Sequence, residues 1–355
     1  MSHSPAASDD WRALIDPQRL TAWMDTQGLE AGPIAQARLL TGGTQNLLLS
    51  FQRGAQRFVL RRPPAHPRQD GSETMRREAR ILAALGSTAV PHPRLIARCD
   101  DPAVLGAAFF LMAPIDGFTA SGALPPAYAG QPVWQHQMGL AMVDALASLG
   151  QVDWQAVGLA DLTRLDQYLA RQPARWRATL DSYASYAGWP GPAGIRGLDE
   201  VQAWLETHRP AQFQPGIVHG DFHLGNLMFQ HDAPQVAAIV DWELASIGEP
   251  LLDLGWLLAT WPDAEGRSIT DSLQVQPHAG LATEAALMAR YAERSGRDLG
   301  DLRWWAVLAC YKLGVLLEGT HARACAGKAP RDTGERLHAA TQRLFDRARE
   351  RIAQA

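Results

Sequence analysis

The spacing of hydrophobic positions changes several times along the chain, and the changes outline its architecture. Residues 9–30 carry Trp11, Leu14, Ile15, Leu20 and Trp23 near helical spacing and predict a helix. The period then shortens. Residues 37–40, 46–52 and 57–61 read as strands separated by TGGT and RGAQ, and Pro63, Pro64 and Pro67 end the third. Across 73–85, Met75, Ala79, Leu82 and Leu85 share one face of a second helix, and 94–99 and 107–115 are strand-like again. A Pro/Gly/Ala connector at 120–132 leads into helical patterns at 133–149, 163–184 and 198–208, interrupted at 187–197. Two short strand pairs follow, 216–219 with 227–230 and then 236–241, and from 251 onward the pattern is helical. No repeat shows at periods of 20–50 residues. The plan is α+β: a small β-rich lobe with one inserted helix, residues 1–113, and a larger, mainly helical lobe, residues 114–355.

Composition narrows the class. With 355 residues, 46% hydrophobic and 20% charged, the chain has ample material for a core of one large domain or two lobes. A net charge of −4 argues against a dedicated nucleic-acid binder. Cys99, Cys310 and Cys325 are too widely spaced for a disulfide framework or a metal cluster. No signal-peptide pattern opens the sequence, and the apolar run between Asp101 and Asp116 is only 14 residues long, too short to cross a bilayer. The longer uncharged stretch, 117–143, is broken by Gly, Pro and Gln. A soluble cytoplasmic protein without nucleic-acid or membrane partners is expected. One imbalance matters below: Lys312 and Lys328 are the only lysines among 33 basic residues.

The densest run of reactive side chains is His219-Gly-Asp221-Phe-His223-Leu-Gly-Asn226, followed beyond a strand-like stretch by Asp241-Trp-Glu243. Phosphoryl transfer passes through a loose, highly charged transition state, so it needs positioning and cations more than covalent chemistry. One carboxylate must orient the acceptor hydroxyl and take its proton. A second must hold Mg²⁺ across the phosphates, and a neutral amide oxygen can complete the metal site. Asp221, Asp241 and Asn226 supply that set, and the five-residue spacing of Asp221 and Asn226 fixes a base relative to a metal ligand.

HGDFHLGNLMF and IVDWELASIGEPLLDLG resemble the catalytic and metal loops of the aminoglycoside phosphotransferase and choline kinase superfamily, and the resemblance spans roughly residues 35–330. It implies a protein-kinase-like, two-lobed fold and a small-molecule kinase using ATP and Mg²⁺. By analogy Asp221 is the catalytic base, and Asn226 and Asp241 are the Mg²⁺ ligands. His219 braces the loop, and His223 braces it or approaches the γ-phosphate. Asp253 pins loop backbone or caps the following helix. In the first lobe, Gly42, Gly43, Thr44 and Asn46 stand where a kinase places its phosphate-covering turn. A kinase carries a lysine on the third strand, held by a glutamate. Arg61 stands in for it here, with Arg62 as second choice, and Glu78 rather than Glu73 is its partner. Met112, Ala113 and Ile115 lie where adenine would stack and bond to hinge backbone.

Finer motifs resemble the kinase-like domains fused to acyl-CoA dehydrogenases and their free-standing bacterial relatives: FVLRRPP, DWELA, GEPLLDLG, and Tyr311-Lys312 with EGTHARACAG. That resemblance implies an acceptor hydroxyl on an acyl chain, a 4-hydroxyacyl thioester, and makes arginine at the third strand usual. Lys312 and Arg323, eleven apart on a predicted helix, would share a face to within about 20° and greet an anionic acceptor. Three other readings stay open. An aminoglycoside kinase would line its acceptor cleft with carboxylates, and residues 262–301 hold seven acidic and four arginine residues. A kinase-like protein could bind ATP without transferring phosphate. An iron oxygenase could begin from His219-x-Asp221, but would leave Asn226 and Asp241 unexplained.

Overall fold

The computed structural model of the chain describes residues 11–40, 46–64, 71–263, 265–270 and 273–354. Its backbone divides into two compact units, Met1–Asp116 and Gly117–Ala355. The first contains helix α1 (Pro17–Thr26), strands β1 (Ala35–Leu39), β2 (Leu47–Arg53) and β3 (Gln56–Arg62), helix α2 (Gly71–Leu85), strand β4 (Leu95–Cys99), helix α3 (Pro102–Leu105) and strand β5 (Phe109–Met112). The single helix expected over 9–30 is instead a 3₁₀ turn, Trp11–Ala13, and then α1. Asp16 breaks the run by accepting the amides of Gln18 and Arg19 as an N-cap, with Pro17 at the first helical position.

The five strands form one antiparallel sheet in the order β1-β2-β3-β5-β4. Strand periodicity decides what each face does. Phe58 and Leu60 of β3 join Leu49, Phe51, Phe109 and Leu111 in a core roofed by Trp11, Ile15, Leu20 and Met24. Phe51 and Phe58 face each other across the ladder and stack at 5.4 Å. Arg61 lies on the opposite face, where the buried side of α2 packs. A one-residue step therefore gives neighbouring arginines different environments. Arg61 reaches α2, while Arg62 is buried against the carbonyls of Leu14 and Leu105 at 3.0 and 2.9 Å.

The second unit comprises β6 (Phe118–Thr119), β7 (Gly122–Ala123), α4 (Pro126–Ala129), α5 (Pro132–Gly150), α6 (Tyr168–Ser182), α7 (Leu198–Thr207), β8 (Gly216–Val218), β9 (Leu227–Phe229), β10 (Val236–Ile239), β11 (Ser246–Gly248), α8 (Leu251–Thr260), β12 (Val275–Gln276), α9 (Glu284–Ser295), α10 (Leu302–Cys325) and α11 (Arg331–Ala353). Every residue of α8 is buried, as expected of a helix that is apolar on all sides. It crosses α10 so closely at Gly255 that an added Cβ would lie 2.8 Å from the Ala306 backbone. Helix α10 also packs on α6, α7 and α11, and α5 packs on α9. Among the described residues no helix is long and apolar enough to cross a membrane.

Three expectations about this unit are corrected. Strand β8 pairs with β11, a strand the sequence reading lacks, while β9 lies between β10 and β6. The helix expected over 163–184 starts only at Tyr168, because Thr163 is drawn off to accept the Ile247 amide of β11 through its hydroxyl. Among its described residues, the stretch between α8 and α9 holds no α-helix. Pro262, Gly266, Pro277 and Gly280 punctuate it, and its β12 pairs in parallel with β7.

Candidate active site

The polar loop 219–226 leaves the end of β8 through a left-handed Gly220, φ +85°. Glycine is required there twice over, since a Cβ would also lie 2.6 Å from the Leu244 carbonyl oxygen. Both backbone groups of Gly220 are held by buried charges. Asp253, in the first turn of α8, accepts the amides of His219 at 2.6 Å and Gly220 at 2.8 Å. Lys312 of α10 donates its Nζ to the Gly220 carbonyl at 3.0 Å. The ammonium also lies 4.6 Å from the ring centre of Trp256 and 5.4 Å from that of Trp176. Burial pushes the Asp253 carboxyl up, against the pull of the two amides and Lys312. Burial likewise pulls Lys312 down, to about 8, against the attraction of Asp253 and Asp221.

His219 is fully buried, with Nε2 donating to the Val240 carbonyl at 2.9 Å and Nδ1 accepting the Asp221 amide at 3.3 Å. Trp242 packs edge-on against its ring at 4.9 Å. Both ring nitrogens are thus committed to backbone, so His219 cannot serve as an iron ligand, and the oxygenase reading falls. Val240 is clamped from both sides, because its amide donates to the Asn226 carbonyl at 2.9 Å. These two bonds fix Asp241, the next residue, relative to the loop. Asp241 itself adopts left-handed backbone, φ +66° and ψ +62°, uncommon for a residue with a side chain.

The Asp221 carboxylate receives one donor on each oxygen. His223 Nε2 lies 3.2 Å from Oδ1, and Asn226 Nδ2 donates to Oδ2 at 2.9 Å and to the Asp221 carbonyl at 2.9 Å. His223 Nδ1 accepts the Gly225 amide at 3.0 Å and so caps the turn Leu224–Asn226; its proton therefore sits on Nε2, facing the carboxylate. Burial alone would raise the Asp221 carboxyl, but the hydrogen bonds from His223 and the Asn226 amide outweigh it and hold the group well below the usual carboxylate range. With the Asn226 nitrogen turned to Asp221, its Oδ1 is left as the ligand atom. Asn226 Oδ1 and the Asp241 carboxylate offer oxygen atoms, the ligands a hard cation such as Mg²⁺ takes.

In the first unit, Arg61 Nε and Glu78 Oε2 form a buried ion pair at 2.9 Å, whereas Glu73 lies on the exposed side of α2 with Arg76. Asn46 is described as the half-buried residue preceding β2, and Gly42, Gly43 and Thr44 fall outside the described residues. Met112 ends β5, and Ala113 and Ile115 follow it, all three partly buried. The Ala113 amide is already used by the Arg94 carbonyl at 2.9 Å, which leaves its carbonyl for a ligand.

One expectation is overturned. Lys312 and Arg323 do not present a shared face to solvent, because α10 runs through the interior. Lys312 is spent on Gly220 and the tryptophan rings, and Arg323 bonds Thr320. The signal was present in the sequence: a lone lysine inside the apolar run WWAVLACYKLGVLL marks a buried cation. Val240 carried no comparable signal, since its part is played by backbone. Glu249 also escaped notice. It is buried, accepts the Gln214 amide at 2.7 Å and pairs with Arg297 at 2.9 Å beside β8 and β11.

Comparisons with known proteins fit this arrangement. A family model described as phosphotransferase enzyme family matches residues 36–305. Acyl-CoA dehydrogenase family member 10 of Mus musculus is 24% identical over 313 residues, covering 86% of this chain and 28% of that protein. This chain therefore spans only about a third of the length of the curated relatives it matches. Among solved structures, a putative aminoglycoside phosphotransferase from Ralstonia eutropha JMP134 is 28% identical, with a TM-score of 0.76, covering 95% of this chain and 99% of the other. Choline kinase from Cryptosporidium parvum Iowa II shares the fold, at 14% identity and a TM-score of 0.63 over 96% and 97% of the two chains.

Proposed function

Because this chain belongs to the phosphotransferase enzyme family, we propose that it moves the γ-phosphoryl group of ATP to a hydroxyl of a small molecule, a 4-hydroxyacyl thioester. The observation that carries the reading is the Asp221 carboxylate, kept ionised by His223 and Asn226 on a loop bonded to Val240, the residue preceding Asp241. Asp221 orients the acceptor hydroxyl and takes its proton as the oxygen attacks. His223 and Asn226 keep that carboxylate charged and aimed. Asn226 Oδ1 and Asp241 are the groups that would hold Mg²⁺, which supplies positive charge to the phosphate oxygens when bound. Arg61, oriented by Glu78, would meet phosphate with its guanidinium. The apolar groups of Met112 and Ile115, with the Ala113 carbonyl, would receive adenine, and Gly42, Gly43, Thr44 and Asn46 would cover the phosphates.

The acyl acceptor rests on the relatives named acyl-CoA dehydrogenases, part of whose length this chain matches. An aminoglycoside acceptor has weaker support, because the arginines among the charges of 262–301 are engaged locally. Arg290 pairs with Asp144 and Glu293, Arg267 with Asp263 and Glu265, and Arg297 with Glu249. ADP release should be measured with MgATP and, in turn, a 4-hydroxyacyl-CoA, the free 4-hydroxy acid and two aminoglycosides. Turnover confined to the hydroxyacyl acceptors bears the proposal out. Turnover with aminoglycosides alone overturns the acceptor and keeps the chemistry. MgATP binding without ADP from any acceptor would leave a nucleotide-binding protein.

A further inference from the structure

The last turns of α10 and the first of α11 hold a second cluster that the phosphoryl-transfer site does not use. Glu318, whose side chain is completely buried, accepts Trp189 Nε1 at 2.8 Å and His321 Nδ1 at 2.8 Å on Oε1, and His338 Nδ1 at 2.8 Å on Oε2. Burial pushes the Glu318 carboxyl up, but these three donors outweigh it and hold it below its ordinary value, so it is an anion. The ligand atoms of Glu318, His321 and His338 lie within 4.8 Å of one another, the spacing of a metal site. The hydrogen bonding argues against a metal. Gln342 is locked by its own bonds to the Gly194 carbonyl at 2.7 Å and the Arg196 amide at 3.1 Å, so its nitrogen faces His338 Nε2 at 3.1 Å. His338 must then carry its proton on Nδ1, toward Glu318, where a metal would need a lone pair.

The same reasoning fixes His321. Its Nδ1 faces a carboxylate and holds the proton, so its Nε2 is the basic nitrogen. That nitrogen lies 3.5 Å from Sγ of Cys325, one helical turn on. Cys325 is exposed, whereas Cys99 and Cys310 are buried. Arg331, on the next helix, interacts electrostatically with the thiol, and Lys328 is exposed three residues beyond it. A nucleophile, a base in contact with it, and a buried carboxylate orienting that base are the parts of an activated thiol. We infer that Cys325, His321 and Glu318 form a relay that makes Cys325 a modification site for anionic disulfides. In the exchange, Sγ attacks one sulfur of the disulfide, and His321 Nε2 takes the thiol proton as the new S–S bond forms. The displaced thiolate leaves with the electron pair of the broken S–S bond and receives the proton from His321. No other oxidant is consumed. Trp189 and His338 act as positioning residues through Glu318. The inference is independent of the reaction proposed for Asp221.

The test is the rate of reaction of the folded full chain with the anionic aromatic disulfide 5,5′-dithiobis(2-nitrobenzoate), followed by intact mass. One adduct per chain is expected, absent from Cys325→Ser. At pH 7 wild type should outpace His321→Gln by about tenfold or more, because an unassisted thiol is only a few per cent ionised there. The two rates should converge as the pH rises and the thiol ionises without help. Glu318→Gln tests the orienting carboxylate if it folds; His321→Gln, a partly exposed substitution, decides the matter if it does not. A ratio below about tenfold at pH 7, a ratio that does not shrink at high pH, or an adduct on Cys99 or Cys310 in place of Cys325 would overturn the relay.

Discussion

Replacing Lys312 with methionine separates two things that the buried ammonium does. Its fall from 10.5 to about 8 means that burial disfavours the charged form by about 3 kcal/mol even after Asp253 and Asp221 have attracted it. Methionine fits the same slot between Trp176 and Trp256 without that burden. It also leaves the buried Gly220 carbonyl without its donor, at a cost of about 1–3 kcal/mol. The balance at pH 7 is a Lys312→Met protein as stable as wild type, or more stable by up to about 2 kcal/mol. The pH dependence is the sharper readout. Between about pH 8 and 10.5 the unfolded chain holds a proton on this lysine that the folded chain has shed, so wild-type stability rises with pH across that window. Relative to Lys312→Met it should gain up to about 3 kcal/mol, or about 2–4 °C in Tm for each kcal/mol. The buried tyrosines, Tyr128, Tyr168, Tyr291 and Tyr311, are pushed up by burial and act in the opposite sense near the top of the window, but they are common to both proteins and cancel in the difference. Catalysis should move the other way. With Gly220 released, Asp221 loses part of its positioning, and kcat should fall by about 10- to 100-fold with little change in the KM for ATP. Parallel curves of Tm against pH for the two proteins, or unchanged kcat, would refute the assignment of Lys312 as a charged clamp on the loop.

Asp221→Ala should abolish phosphoryl transfer while leaving nucleotide affinity within about twofold, measured by calorimetry beside ADP release; near-normal turnover would remove it as the base. His223→Gln should let the Asp221 carboxyl rise, so the acid limb of kcat/KM moves toward neutral pH, and an unmoved limb would deny His223 that role. Asp241→Ala should lose Mg²⁺-dependent tightening of ATP binding, and an unchanged MgATP Kd would count against it as a ligand. Arg61→Met should take the buried ion-pair partner from Glu78, destabilise the first unit by about 3–5 kcal/mol in chemical denaturation and weaken ATP binding; Arg61→Lys should recover part of both.

What the sequence made legible follows from where the information resides. Period and punctuation marked the sheet of the first unit because its strands are short apolar runs set off in the sequence by Gly and Pro. The polar loop was legible because side-chain chemistry sits in the residue types themselves. Pairing was less so. Strand β11 is three residues long, and nothing local says that it, rather than β9, completes β8. Position on a helix misled for Lys312, because angular spacing says which residues share a face and not whether that face meets water. Val240 was invisible for a different reason: it acts through its amide and carbonyl, which every residue but proline possesses.

The burial of Lys312 also shapes how this protein can be handled. Of its two lysines one lies inside α10, bonded to the Gly220 carbonyl, and the other, Lys328, is exposed just past the end of that helix. Amine-directed chemistry therefore finds a single lysine side chain on the surface. A fluorophore, a biotin or a solid support coupled at that amine would attach at one known place and leave the amine beneath Gly220 untouched.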